Sequence, residues 1–152
     1  MATHELRDIE QDAWSGFLLT HDRLWRAMES SLAALNVSMA EYSALSLLYE
    51  AGADGMRMSD LANRRLMSSG GFTRLADRLQ NRGLIERRRS ATDGRGFEAT
   101  LTAAGRTLIR KARRRHHSDL RELFFAHLDD DQLRALTEIW TLLGDDAPTS
   151  TG

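Results

Sequence analysis

The amino-acid sequence predicts a mainly α-helical fold that carries one small β-hairpin. Long segments at both ends repeat apolar residues every three or four positions, as amphipathic helices do. Two shorter helical patterns meet at "LMSS", residues 66–69, with the proportions of a helix-turn-helix. After residue 83 the spacing of apolar residues shortens from that of a helix to the approximate alternation of a strand. The turn-forming "ATDGRG", residues 91–96, separates two short alternating runs, which is typical of a hairpin. Together these patterns predict a winged helix-turn-helix plus a helical dimerisation region.

The first element is a long amphipathic helix. Apolar residues recur at helical spacing from Leu6 to Leu35, which is some eight turns. A chain of 152 residues has little core to cover so long a stripe, so we expect part of it to pack against a second subunit. Residues 1–36 are therefore assigned as an N-terminal dimerisation helix.

The next two helices have recognisable start signals. Ser38 and Glu41 form an S-x-x-E capping box before an apolar run that ends at Gly52. The segment "MRMSDLANRRL" reads as a short helix capped by Ser59. Both belong to the predicted winged helix-turn-helix region, residues 37–105.

The following helix, "MSSGGFTRLADRLQNRG", is capped by Ser68 or Ser69 and closed by Gly83. Its apolar residues fall on one stripe, which we expect to be buried: Phe72, Leu75, Ala76 and Leu79. The runs "LIERRRS" and "FEATLT" then form the predicted hairpin.

Two C-terminal helices complete the chain. Thr102 caps a long helix whose apolar register extends to His127, and Asp129 or Asp130 caps a last helix that closes at Gly144. Residues 106–144 are assigned as C-terminal dimerisation helices, and residues 145–152 as a flexible tail.

Charge is segregated along the chain although the net charge is only −1. Residues 56–116 hold 16 basic and five acidic residues, whereas the rest holds five basic and 17 acidic ones. A basic segment of this kind is suited to a polyanion. Arginine predominates in it, and its planar fork fits phosphates and guanine edges.

Composition also excludes several classes. Cysteine is absent, so disulfides and thiolate zinc sites are excluded. No apolar run approaches the roughly 20 residues of a membrane span, and the N-terminus lacks a signal core. No catalytic motif is present. We expect a cytoplasmic protein that is not an enzyme, needs no cofactor and has no membrane partner.

Residues 56–105 resemble the winged helix of the MarR family of bacterial transcription regulators. The resemblance is carried by "TRLADRL", "RGLIERR", the wing "DGRG" and the "LTAAG" that opens the next helix. It implies a homodimer joined through its first and last helices, bound to a palindromic double-stranded DNA. Recognition helices would enter successive major grooves while the wings reach the minor grooves. Two departures are Gly96, where family wings often carry an acid, and the glycine-rich "MSSGGF".

The residues expected to contact DNA lie on the recognition helix and the wing. They are Ser68, Ser69, Gly70, Thr73, Arg74 and Arg78 on the helix, and Arg87, Arg89 and Arg95 on the wing. Arginines 87–89 alternate along a strand, so they cannot all face DNA. Asp77 is a candidate to pair with Arg95 and support the wing, and Asp93 is a turn residue. The alternative is that these are only capping and solvent-facing residues.

The aromatic residues of the first two helices are candidates for a ligand site. Trp14, His21 and Tyr42, with neighbouring aromatic residues, could line a pocket for a small aromatic or phenolic ligand. An aromatic stripe at helical spacing is also what a buried helix requires, so we expect most of these residues to be ordinary core. No metal site is predicted, because His116 and His117 are adjacent and diverge on a helix.

These observations favour a sequence-specific regulator of transcription. We expect a homodimeric repressor of a nearby promoter that a small ligand, such as an aromatic acid, releases from its site. Two alternatives remain: a winged-helix protein-interaction module that does not bind DNA, and a metal-responsive regulator.

Overall fold

The computed structural model describes residues 5–64, 69–90, 94 and 96–144, with residue 69 described by its backbone alone. The chain divides into two compact units, the first ending at His117 and the second beginning at Ser118. The first unit holds the small sheet and the helices around it, and the second holds the last helices.

The order of elements confirms a mainly helical fold with a small wing. The elements are α1 (Asp8–Ala33), α2 (Met39–Ala51), β1 (Met56–Arg57), α3 (Met58–Arg64), α4 (Ser69–Asn81), β2 (Ile85–Arg89), β3 (Phe97–Leu101), α5 (Ala103–Leu123), a 3-10 turn (Phe125–His127) and α6 (Asp130–Leu143).

The capping box predicted at α2 is present. The backbone N–H of Glu41 donates to the Ser38 hydroxyl at 3.1 Å, and the Ser38 N–H donates to the Glu41 carboxylate at 2.9 Å. These bonds satisfy two N–H groups at the helix start. The chain enters this cap from α1 through Asn36, which has a φ of 54°, the left-handed region that asparagine tolerates better than most residues.

The sheet contains one strand more than the sequence predicted. Strands β2 and β3 form the expected antiparallel hairpin, and β1 pairs with the other edge of β3, so that the order is β1-β3-β2. Gly55 permits this pairing: its φ is +72°, and a Cβ there would lie 2.4 Å from the Ala99 carbonyl oxygen. Since β1 passes directly into α3 at Met58, Ser59 lies inside the first turn of α3, and its prediction as a cap was wrong.

The core of the first unit lies between the sheet and the helices. The four apolar residues predicted on the α4 stripe are all buried, and Gly83 closes that helix with a φ of +68°. The largest fully buried side chains are Leu32, Leu45, Leu48, Leu61, Leu75, Leu79 and Ile109. Burial of these side chains drives the packing of α1, α2, α3, α4 and α5 in this unit.

Helix α5 begins in close contact with the turn after α4. The Thr102 hydroxyl accepts from the Gly105 N–H at 3.0 Å, as predicted for its cap, and also donates to the Gly83 carbonyl at 2.6 Å. A Cβ at Gly105 would lie only 2.0 Å from the Leu84 carbonyl oxygen. The "LTAAG" motif therefore ends in glycine because the backbones of α5 and the turn nearly touch.

In the second unit, α5 ends at Leu123 and a 3-10 turn follows. The prediction that the α5 register extends to His127 was therefore wrong. Asp129 caps α6, as expected, because its carboxylate accepts from the Gln132 N–H at 2.9 Å.

Candidate nucleic-acid interface

Helix α4 presents a polar side opposite its buried stripe. Gly70, Thr73, Arg74 and Arg78 are exposed and recur at spacings of three and four residues, so they share one side of the helix. The stripe that faces the core fixes which side is outward. The structure thus brings together four of the predicted contact residues on one surface.

Some of the predicted contact residues cannot be placed. Ser68, Asp93 and Arg95 lie outside the described residues, and Ser69 is described by its backbone alone. The predicted pairing of Asp77 with Arg95 therefore also lies outside what the structure describes.

Asp77 does pair with a wing arginine. Its carboxylate accepts from the Arg87 guanidinium at 2.6 Å, and a second nitrogen of that guanidinium donates to the Gln80 side-chain oxygen. The Arg87 side chain is only 26% exposed and that of Asp77 is 48% exposed. The guanidinium of Arg87 is thus turned towards α4. Sequence reasoning named both residues but did not predict that they pair.

The other two arginines of β2 have different surroundings. Arg88 is exposed and forms an ion pair with Glu86 at 2.9 Å. Arg89 lies over the Phe97 ring, with 6.0 Å between the guanidinium carbon and the ring centroid, which is within reach of a cation–π interaction. The three consecutive arginines therefore point in alternating directions, as a strand requires.

The aromatic residues of α1 form a ladder on the surface of the first unit. Neighbouring ring centroids lie 5.8 Å apart for Trp14 and Phe17, 6.3 Å for Phe17 and His21, and 5.8 Å for His21 and Trp25. Trp14 is 54%, Phe17 45% and Trp25 40% exposed, and His21 is also exposed. The expectation that most of these residues are ordinary core of the protomer was therefore wrong.

Tyr42 is buried, and its ring contacts His116 of α5 with 4.4 Å between centroids. Burial raises the pKa of the Tyr42 phenol above its usual value, although a hydrogen bond with Ser46 and the positive charge of Arg113 act in the opposite direction. The structure places Tyr42 against α5, a contact that sequence reasoning did not foresee.

A polar pair beside Tyr42 was also missed. Arg113 forms an ion pair with Glu50 at 3.0 Å, and its guanidinium lies over the Tyr49 ring at 5.3 Å from the centroid. Arg113 and Glu50 are 63 residues apart in the sequence, on α5 and α2. The apolar pattern of each helix predicts which side is buried, but neither pattern predicts which residues of the two helices face each other.

The part of the chain that the structure describes holds neither a cluster of metal ligands nor a membrane-spanning helix. No group of three or more histidine or acidic side chains there converges as metal ligands would. No helix in the same part combines the length and apolarity of a membrane span.

Comparison with known proteins identifies the family. A model of the MarR family matches residues 35–96. The fold superposes on AbsC, a MarR family transcriptional regulator from Streptomyces coelicolor, with a TM-score of 0.89, 31% identity, and coverage of 93% of this chain and 95% of AbsC. The protein belongs to the MarR family of transcriptional regulators.

Two further relatives are similar to this MarR-family protein. Sco3205 of Streptomyces coelicolor, a MarR family regulator solved in complex with DNA, has a TM-score of 0.88 and 23% identity, with coverage of 97% of this chain and 93% of Sco3205. The uncharacterised HTH-type transcriptional regulator YdgJ of Bacillus subtilis is 28% identical over 107 residues, 70% of this chain. That match spans 63% of YdgJ, less than two thirds of its length.

Proposed function

We propose that this MarR-family protein is a homodimer that binds palindromic double-stranded DNA sequence-specifically and represses a nearby promoter until a small ligand releases it. Its proposed partner, chromosomal DNA, implies a cytoplasmic location.

The exposed side of α4 carries the DNA-binding part of the proposal. Gly70 lets a DNA backbone approach closely, Thr73 can donate or accept a hydrogen bond, and Arg74 and Arg78 supply cationic forks. In the sequence, α4 is followed directly by the wing, whose first strand, β2, is arginine-rich. The DNA complex of Sco3205 supports a partner of the same kind.

Within the proposal, the wing residues and the start of α4 complete the contact set. Arg95 would enter a minor groove, where a narrow A·T tract strengthens the negative potential, and Asp93 would be a turn residue of the wing. Ser68 and Ser69 would contact DNA from the start of the recognition helix, and Arg89 would contact phosphate.

The exposed apolar residues of the first and last helices support the homodimer. The α1 ladder leaves large aromatic side chains in water, and in the second unit α6 exposes Ile139, Trp140, Leu142 and Leu143. Soluble monomers rarely leave apolar stripes of this kind uncovered. A two-fold dimer would cover them with the same residues of a second copy.

The proposed ligand would act on the spacing of the two recognition helices. Successive major grooves require a separation of roughly 34 Å, so a small molecule that favours another separation lowers DNA affinity. Trp14, His21 and Tyr42 are the candidate ligand residues, for an aromatic or phenolic molecule.

The proposal is tested by selecting DNA from a duplex library randomised over about 20 base pairs, enough for two half-sites one helical turn apart. We expect enrichment of an inverted repeat that the protein binds as a dimer. Salicylate, an aromatic acid, is then added to this complex as the first probe of the proposed ligand response. Failure to enrich any sequence would contradict the DNA-binding proposal, whereas an enriched site without an inverted repeat would contradict the dimer.

A further inference from the structure

We infer that the contact between Asp77 and Arg87 is a strut that sets the angle of the wing on the recognition helix. By this inference Arg87 is a positioning residue and does not itself neutralise a phosphate. The inference rests on the proposed DNA-binding function and assigns separate roles to the arginines within that site.

The register of the sheet shows why Arg87 reaches α4. Arg87 pairs across the ladder with Ala99, which is buried, and it lies on the same side of β2 as buried Ile85. That side faces α4, where Asp77 and Gln80 are three residues apart. Their side-chain oxygens accept hydrogen bonds from two of the three guanidinium nitrogens of Arg87. Arg87 therefore spans from the sheet to the recognition helix.

The Arg87 contact is a second attachment of β2 to α4. The first attachment is the turn after α4, where the Leu84 N–H donates to the Leu79 carbonyl at 3.0 Å. Strand β1 holds the β3 edge of the hairpin through its pairing with Ala99 and Glu98, so the Arg87 contact is the one that ties the β2 edge to α4. Arg87 lies three residues further along the strand, about 10 Å away, so a contact there fixes where the outer half of β2 lies relative to α4.

Charge argues against a phosphate role for Arg87. Its guanidinium is paired with a carboxylate, so the pair brings no net positive charge to DNA. Asp77 itself lies on the same side of α4 as Arg74 and Arg78, where a carboxylate repels a polyanion. Removing that carboxylate should strengthen DNA binding by charge alone, whereas loss of the strut should weaken it. The two accounts thus predict opposite signs for one substitution.

The test uses the full-length protein and the duplex that the wild type enriches from the random library. Affinity is measured for wild type, Asp77→Asn, Arg87→Gln and the double variant by fluorescence anisotropy between about 50 and 200 mM salt. Glu86→Gln is the matched control, because it removes the carboxylate of an exposed β2 ion pair. Thermal unfolding of each protein shows that it is folded.

The strut predicts that both single variants bind roughly five- to tenfold more weakly, since each dimer loses two partly exposed ion pairs. The double variant should be no weaker than the weaker single variant, because one contact is lost in all three. The slope of log affinity against log salt should stay at the wild-type value, and Glu86→Gln should bind as tightly as wild type or more tightly. If Asp77→Asn does not fold, Gln80→Ala removes the neutral partner and should weaken binding in the same direction.

Tighter binding by Asp77→Asn would overturn the strut. So would a salt slope for Arg87→Gln that is shallower by about 0.9 per protomer, the change expected for a lost phosphate contact. In both cases the wild type still binds DNA, so the proposed function stands. A wild-type protein that enriches no duplex contradicts the proposed function and the strut with it.

Discussion

The Arg82 guanidinium donates a hydrogen bond to the Glu41 carboxylate at 3.1 Å. The Glu41 side chain is only 10% exposed, and its other oxygen accepts from the Ser38 N–H. A second nitrogen of Arg82 donates to the Asn36 carbonyl at 2.7 Å. The C-terminal end of α4 is thus joined to the turn between α1 and α2.

Replacing Arg82 tests how much this contact stabilises the fold. Arg82→Met removes the partner of a nearly buried carboxylate, so we expect the free energy of unfolding to fall by about 1–3 kcal/mol. Adding Glu41→Gln should recover part of that loss because the unpaired charge disappears. Urea denaturation followed by circular dichroism measures both variants. A single variant as stable as wild type would show that the contact contributes nothing.

Gly105→Ala tests the close approach of α5 to the turn after α4. The new methyl group meets the Leu84 carbonyl at a distance that the backbone cannot accept, so we expect a loss of about 1–3 kcal/mol in the free energy of unfolding. Gly70→Ala is the matched control in α4, where nothing lies within 4 Å of the added Cβ; it should raise stability by up to about 1 kcal/mol. Equal effects of the two substitutions would refute the packing argument.

The raised pKa of Tyr42 gives a prediction for alkaline pH. Burial favours the neutral phenol in the folded protein, so the unfolded chain loses this proton first, near pH 10. Stability from Tyr42 is therefore fully present below about pH 10 and is lost as the pH rises towards the pKa of the folded protein. Tyr42→Phe should lose less stability than wild type between about pH 9 and 11. Parallel pH profiles for the two proteins would disprove it.

A charge placed on the α1 ladder tests the dimer. Phe17→Glu puts a carboxylate into a surface that we propose is buried by a second copy, so the dimer should dissociate to monomers in sedimentation velocity. Leu19→Glu is the control: Leu19 is 71% exposed but lies on another side of the helix, so it should remain dimeric. If Phe17→Glu also remains dimeric, the ladder is not the interface.

Local signals in the sequence predicted most of the fold. The capping box at Ser38, the glycine that closes α4 and the two strands of the hairpin depend on neighbours within a few residues, and such signals can be read from one chain. The exposed polar side of α4 followed in turn from its apolar stripe.

The features that sequence reasoning missed depend on contacts between distant segments. A strand of two residues, β1, has no periodicity of its own and exists because β3 offers it a free edge. Asp77 and Arg87 were both named, but only the ladder register decides that Arg87 faces α4. The exposure of Trp14 likewise depends on what covers α1, and the spacing that predicted a core position is the same spacing that an interface requires.

The most direct test of the central claim is the salt dependence of DNA binding by the wild-type protein. The claim is that the exposed side of α4 and the arginine-rich wing form a single surface that binds duplex DNA. Affinity for the enriched duplex should then fall steeply with salt, with a log–log slope of about −5 or steeper if a dimer neutralises six or more phosphates. A slope near zero would contradict the claim, and equal affinity for a scrambled duplex at every salt concentration would contradict the proposed sequence specificity.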